Sequence, residues 1–379
     1  MSKLDELIAE LCPDGVEFKE LRQVLRIRNG KDYKHIAEGS IPVYGSGGVI
    51  TYINQFAYDK PSVLIPRKGS IDKLYFVEEP FWTVDTLFYT EINTEIIEPK
   101  FVFYYLQSQR IERLNTAGGV PSLTQTVLNK IPIPLPPKPV QEEIVRILDN
   151  FTELTAELTA ELTAELTARR KQYEYYRDLL LTFGNNPDIK WMTLGEIGPV
   201  CMCKRIMKAE TSPVGDVPFF KIGTFGKEPD AFISQEKYDE YRKAFSFPKK
   251  GDILISAAGT IGRTVIYDGK PAYYQDSNIV WIDNDESKVL NKYLYYCYAM
   301  KPWSISTGGT IARLYNDNIS KAKIPVPPLE EQERIVAILD RFDALCNDLT
   351  SGIPAEIEAR QKQYEYYRDK LLSFKEVTS

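Results

Sequence analysis

Two stretches of this chain are near copies of one another and lie a fixed distance apart. "IPLPPKPVQEEIVRILDNF" at 133–151 aligns with "IPVPPLEEQERIVAILDRF" at 324–342, and "KQYEYYRD" occurs unchanged at 171–178 and 362–369. Both pairs are separated by 191 residues, and a period of that length in a 379-residue chain leaves room for two copies of one design. The offset continues weakly upstream, from "TAGGVPSL" at 116–123 to "TGGTIARL" at 307–314, and from "VFYY" at 102–105 to "YLYY" at 293–296. Thr152–Arg170 and Asp343–Gln361, which the copies enclose, differ in sequence but match in length.

Each half reads as a β-rich block followed by a long helix. Short apolar runs such as "SVLIP", "KLYFV", "GDILIS" and "TVIYD", punctuated by Gly, Pro, Asn and Asp, predict strands. In the first helical segment Ile144, Ile147, Leu148, Phe151, Leu154 and Leu158 recur at three- and four-residue steps, after a "PP" start signal and before "GNNP". Ile335, Ile338, Leu339, Phe342, Leu345 and Leu349 repeat the stripe in phase, and each stripe is expected to find its apolar partner in the other helix. The expected fold is α+β: two β-rich domains joined by two long antiparallel coiled-coil helices with pseudo-two-fold symmetry. Gly352 and Pro354 should kink or interrupt the second helix. The boundaries read as an N-terminal helix at 1–11, blocks at 12–132 and 186–323, and helical segments at 133–185 and 324–379.

Composition narrows the function. The net charge of −6 argues against a strongly basic nucleic-acid binder, but the acid is concentrated in the helical segments and the blocks are neutral or slightly basic. Five cysteines without a CxxC pair support neither a disulfide framework nor a zinc site, and Cys201 and Cys203 read as half-buried strand residues. A reducing cytoplasm is expected, with no membrane span and no export signal.

No catalytic constellation stands out. His35 is the sole histidine, so no Ser-His-Asp or Cys-His relay has a second clue. "YGSGGV" at 44–49 lacks the Lys-Ser/Thr of a phosphate-binding loop and reads as a tight turn. Asp85, Glu98 and Lys100 imitate a nuclease order, but Pro99 argues against the strand that would hold them. Binding is the remaining class. "PRKGS" with Arg67 and Lys68, and "AGTIGR" with Arg263, pair small residues with cations, a combination that suits base-edge readout and also occurs on ordinary solvated surfaces.

The repeated helical motifs, the tandem layout and the run "LTAELTAELTAEL" at 154–166 together resemble the specificity subunit of type I restriction–modification enzymes, in the subtype with tetrapeptide repeats. The resemblance covers essentially the whole chain. It implies two target-recognition domains, each reading half of a split double-stranded DNA sequence. It also implies that chemistry resides in two methylation subunits binding S-adenosylmethionine and two restriction subunits hydrolysing ATP with Mg²⁺, leaving no cofactor or metal for this chain. A coiled-coil adaptor that binds only proteins is the competing class.

A four-residue step turns a helix by about 400°, so Leu154, Leu158, Leu162 and Leu166 drift by only ~40° each and stay in one stripe. Units can be added or removed without losing the seam, which suits a spacer. Exact identity of "KQYEYYRD", charged positions included, suggests one partner surface presented twice, through Tyr173, Tyr176, Arg177, Tyr364, Tyr367 and Arg368. Loop chemistry and the family outline nominate Tyr44, Ser46, Gly47, Arg67, Lys68, Gly118, Gly119 and Ser122 for DNA contact in the first block. In the second they nominate Lys221, Thr224, Arg263, Gly308, Gly309 and Arg313.

Overall fold

The computed structural model describes residues 2–115, 121–184, 186–305, 313–348 and 351–377. The chain forms two compact units, and neither is a half-chain: the first joins Met1–Thr163 to Glu356–Ser379, and the second is Ala164–Ala355.

In the first unit α1 (Lys3–Leu11), capped by Ser2 and Asp5, precedes β1 (Phe18–Glu20), α2 (Leu21–Val24) and β2 (Leu25–Asn29). There follow β3 (Glu38–Gly45), β4 (Gly48–Ile53), β5 (Ser62–Pro66), β6 (Tyr75–Val77), β7 (Trp82–Thr83) and β8 (Leu87–Ile92). Then come α3 (Pro99–Ser108), α4 (Gln125–Leu128), β9 (Pro132–Pro134) and the start of α5 (Lys138–Leu181). The strands form an antiparallel sheet in the order β2-β8-β5-β6, a sheet β4-β3-β7 in which β3 and β7 run parallel, and the pair β1-β9.

The second unit repeats this plan. Its elements are β10 (Lys190–Thr193), α6 (Leu194–Ile197), β11 (Val200–Cys201), β12 (Val217–Phe220), β13 (Phe232–Ile233), α7 (Gln235–Ala244), β14 (Ile253–Ser256) and β15 (Thr264–Ile266). β16 (Tyr273–Tyr274), β17 (Ile279–Ile282), α8 (Asn291–Ala299), α9 (Asn316–Lys321), β18 (Lys323–Val326) and α10 (Leu329–Asn347) complete it, and α11 (Ile353–Leu371) returns to the first unit. The sheets β11-β17-β14-β15 and β13-β12-β16, and the pair β10-β18, match those of the first unit strand for strand, down to the parallel β12 and β16. All four apolar runs read as strands form β5, β6, β14 and β15.

The central strands β5, β14 and β17 are buried at every residue, so they appear in sequence as continuous apolar runs. In β5, Val63 and Ile65 join the core built with the helices, whereas Leu64 packs with Phe81, Leu87 and Tyr44 on the opposite face.

The repeated helical motif is an anchor to the block before it. Val140, Ile144 and Leu148 are fully buried in the first unit's core, and Ile335 and Leu339 in the second's. This corrects the expectation that the stripe is covered by the other helix along its length: its first turns pack into the core of their own block, which the strands and short helices already supply with apolar side chains. Fully buried Gln141 accepts the Glu98 N–H (2.8 Å) and donates to the carbonyls of Ile96 (3.1 Å) and Pro136 (2.7 Å). Gln332 does the same, accepting from Leu290 and donating to Lys288 and Pro327 at 2.8–2.9 Å. Asp149 holds Lys100 and the Tyr104 hydroxyl, as Asp340 holds Lys292 and the Tyr296 hydroxyl.

Beyond these anchors the helices pair antiparallel within each unit. Phe151 meets the Tyr367 ring at 6.1 Å and Thr152 the Tyr364 hydroxyl at 3.0 Å in the first unit, and Tyr176 stacks on Phe342 at 5.5 Å in the second. Leu158, Leu162 and Leu166 are half-buried, but Leu154 is 60% exposed, so the stripe begins one unit later than its spacing predicts. The second long helix is two, as Gly352 and Pro354 foretold: a Cβ on Gly352 would lie 2.7 Å from the carbonyls of Ala344 and Asp348. Leu349 lies outside the described residues. The first unit is closed by the chain's end, where Val16 donates to Lys375 (2.9 Å) and accepts from Val377 (3.0 Å).

Helix α1 is tied to α5 through charge. Glu143, 3% exposed, accepts from Lys3 (2.9 Å) and Arg146 (2.6 Å), which hold its carboxyl down at about 2. A folded value below the unfolded one, about 4.3, stabilises fully above pH 4.3, and that stability is lost as pH falls towards 2. Glu143→Gln should therefore lower the thermal midpoint at pH 6 and flatten its dependence between pH 4.5 and 2. An unchanged acid slope would show that other carboxylates set it.

Candidate nucleic-acid interface

Three loops meet at the same place in each block because β-strand pairing brings them there. In the first block the β7–β8 turn, Val84–Thr86, is the centre. Val84 donates to the Tyr44 carbonyl (3.0 Å) at the start of the β3–β4 turn, and Thr86 accepts from the N–H of Arg67 (2.8 Å) in the loop after β5. Leu123 donates to Arg67 (2.9 Å), Gly69 to Pro121 (3.2 Å), and Lys68 bridges Ser122. The Tyr75 hydroxyl reaches the Ser46 carbonyl at 3.1 Å. Five nominated residues, Tyr44, Ser46, Arg67, Lys68 and Ser122, thus converge although up to 78 positions separate them.

Their roles differ. Lys68 and Gly47 are exposed, and nothing lies within 4 Å of a Cβ built on Gly47, so this turn can approach a ligand with its backbone. Arg67 is half-buried with its guanidinium 5.8 Å from the Phe88 ring centre. Tyr44 packs on Tyr75 and Phe81, and burial pushes its hydroxyl pKa up, so its ring supports the turn. Gly118 and Gly119 lie outside the described residues. The neighbouring hairpin exposes Val49, Ile50 and Tyr52 by 46–53%, an apolar edge that loop chemistry did not flag. Asp85, Glu98 and Lys100 form no cluster: Asp85 is exposed on the β7–β8 turn, Glu98 pairs with Lys138, and Lys100 pairs with Asp149.

In the second block the corresponding centre is the β16–β17 turn, Gln275–Asn278. Gln275 donates to Phe220 (2.9 Å) and accepts the Ile222 N–H (2.9 Å), and Ala257 donates to Asn278 (2.7 Å). Arg313 Nη2 donates to the Ser277 carbonyl (2.9 Å), and Arg263 Nη1 to Phe225 (2.9 Å). Lys221 and Thr224 form one turn, in which the Lys221 N–H reaches the Thr224 hydroxyl (3.1 Å) and its ammonium pairs with Asp230 (2.8 Å). Arg313 stays available beside its carbonyl contact, whereas Arg263 ties loops together. Gly308 and Gly309 lie outside the described residues. Cys201 is half-buried on β11, and burial pushes the Cys203 thiol up to about 12, leaving it an inert core residue.

On the helices, Tyr364 meets Thr152 across the first unit's pair and Tyr173 packs against the second unit's core, and Arg177 and Arg368 cover the rings of Tyr173 and Tyr364 at 5.8 and 5.9 Å. Tyr176 and Tyr367 touch the opposite helix and remain 37% and 41% exposed. Tyr175 and Tyr366, which spacing did not single out, face outward at 64% and 62%. Among the described residues no helix is long and apolar enough to cross a membrane, and no group of His, Cys, Asp and Glu has metal-binding geometry.

The chain matches the family model described as type I restriction modification DNA specificity domain over residues 13–168 and 186–359. It is 50% identical over 371 residues to a Haemophilus influenzae protein named as a type I restriction enzyme specificity subunit, covering 95% of this chain and 96% of that one. Identity to the specificity subunit of an Escherichia coli type I restriction enzyme is 37% over 294 residues, 73% of this chain and 70% of that one. The fold is shared, at a TM-score of 0.67 and 17% identity, with a chain from a solved type I restriction–modification assembly, covering 96% and 98% of the two chains.

Proposed function

The chain belongs to the type I restriction–modification DNA specificity family, and from that premise we propose how its parts divide the work. It is a non-catalytic subunit that recognises the DNA target within a restriction–modification complex, and the protein-only adaptor loses its support. Blocks 12–132 and 186–323 each read one half-site of a split sequence. One observation carries this: the same three-loop face recurs on two blocks of identical topology with different side chains, as two readers of different sequences require. The nominated residues Ser46, Gly47, Lys68, Ser122, Lys221, Thr224 and Arg313 supply contacts to bases or phosphates there.

The repeats of α5 set the gap, and the run "LTAELTAELTAEL" at 154–166 supports a reading of the chain as the tetrapeptide-repeat subtype. Two methylation subunits and two restriction subunits complete the cytoplasmic complex and carry S-adenosylmethionine, ATP and Mg²⁺. Co-expression with the methylation subunit, followed by genome-wide mapping of adenine methylation, tests the reading. A bipartite motif with a fixed gap is expected; a stable complex that methylates no such motif would overturn it.

The duplicated "KQYEYYRD" presents the methylation subunits with the same surface twice. Its outward tyrosines separate docking from packing. Tyr175→Ala with Tyr366→Ala should weaken assembly about tenfold or more, at a thermal midpoint within about 2 °C of the parent. Tyr176→Ala with Tyr367→Ala should lower both affinity and midpoint, because those rings also contact the opposite helix. Unchanged affinity in the first pair would exclude this surface.

A further inference from the structure

We propose that Arg205, aimed by Asp276, reads a guanine in the half-site recognised by the second block; this rests on the target-recognition reading above. Arg205 follows β11 and is 71 positions from Asp276 in sequence, yet its Nε donates to Asp276 Oδ2 at 2.8 Å. The Arg205 side chain is 66% exposed and that of Asp276 only 16%, so the carboxylate is the fixed support and the guanidinium the presented group. Among the described residues the hydrogen bond is made through Nε, which leaves the terminal Nη1/Nη2 fork for a ligand.

The geometry selects the ligand. An arginine fork can also hold a phosphate in a bidentate pair, but a neighbouring carboxylate weakens that attraction. The O6 and N7 acceptors of guanine need a planar fork held in one orientation, which the carboxylate supplies. Asp276 belongs to the β16–β17 turn at the centre of the loop face. The next residue, Ser277, stands at φ +54 and receives Arg313 Nη2 on its carbonyl. One short turn therefore holds two arginines, one through a side chain and one through the backbone. Beside it runs an open groove of about 590 Å³, lined by Met202, Ser277, Arg313, Tyr315 and Asn316.

Among the described residues the first block has no counterpart of this arginine–aspartate pair. Asp85 lies 191 residues before Asp276, and Trp82 191 before Tyr273. The contacts of Trp82 Nε1 with the Lys31 carbonyl and of the Tyr273 hydroxyl with that of Lys204 match Arg205 to Asp32, whereas the strand registers Arg26–Glu91 and Val200–Ile282 match it to Lys31. Neither Lys31 nor Asp32 carries a guanidinium fork, so the two half-sites are expected to differ at this position.

The test compares methylation motifs of the parent complex with Arg205→Ala, Arg205→Lys and Asp276→Asn, each co-expressed with the methylation subunit. In Arg205→Ala one guanine of one half-site should lose its constraint, with methylation of the parental motif falling about tenfold or more. The other half-site and the gap should stay as they were. Arg205→Lys should not restore the preference, since a lysine keeps the charge without the fork, and Asp276→Asn should relax the same position partially. A uniform loss of methylation with unaltered sequence preference would identify Arg205 as a phosphate contact and overturn the proposal, as would an unchanged motif. A parent complex without any bipartite motif would instead sink the target-recognition reading itself.

Discussion

Deleting Thr159–Leu162, one complete "TAEL" unit, is expected to abolish methylation at the parental motif and to create a new motif with the same two half-sites and a gap shorter by one or two base pairs. The unit lies inside the continuous helix α5, Lys138–Leu181. Removing four residues shortens the helix by roughly 6 Å and rotates everything beyond by only ~40° from a whole turn. Leu158 and Leu166 then keep their face, because the tetrapeptide is close to one turn and its leucines are interchangeable. Each block is fixed to the start of its helix outside the repeats, by Gln141 and Asp149 in one and by Gln332 and Asp340 in the other, so the residues proposed to read bases are not disturbed. Methylome sequencing of the deletion decides the matter. Altered half-site bases would refute a pure spacer, and a surviving parental gap would show that α5 does not set it.

Gln332→Leu is expected to destabilise the second block by about 3 kcal/mol, since it strands the Leu290 N–H and the Lys288 and Pro327 carbonyls, all wholly or partly buried, at roughly 1–3 kcal/mol for a fully buried group. Against a total of about 5–15 kcal/mol this is a large fraction of the block's stability. Gln332→Glu should be worse despite its shape, because a carboxylate cannot donate to two carbonyls and brings charge into a fully buried site. Gln141→Leu should repeat the result in the first block. Urea unfolding of each variant measures this, and a loss below about 1 kcal/mol would mean that water replaces the amide.

Much of this was legible in the sequence. The start of α5 after Pro136–Pro137, the start of α10 after Pro327–Pro328 and the break around Gly352 are local chemistry, and each was read correctly. The convergence of Ser46, Lys68 and Ser122 was only half visible. Small residues and cations marked each loop as accessible, but nothing in any one loop names its neighbours. Arg205 was invisible: a lysine–arginine pair in "CKRIM" is an ordinary surface sequence until β11 pairs with β17 and β12 with β16. The faint signal that existed was the 191-residue spacing of Asp85 and Asp276.

The sequence by itself determined that the chain is one design used twice, that each copy ends in a helix, and where those helices start and break. Periodicity, proline and glycine act within a few residues, so their consequences can be read in order along the chain. Only the tertiary structure decided that each compact unit borrows its helix end from the other half, Tyr367 meeting Phe151 and Tyr176 meeting Phe342. It alone also set Arg205 against Asp276 and Arg313 against Ser277. Contacts between distant residues depend on strand register and helix packing, which many sequences satisfy equally well, so the identity of the partners is fixed only when the whole block closes.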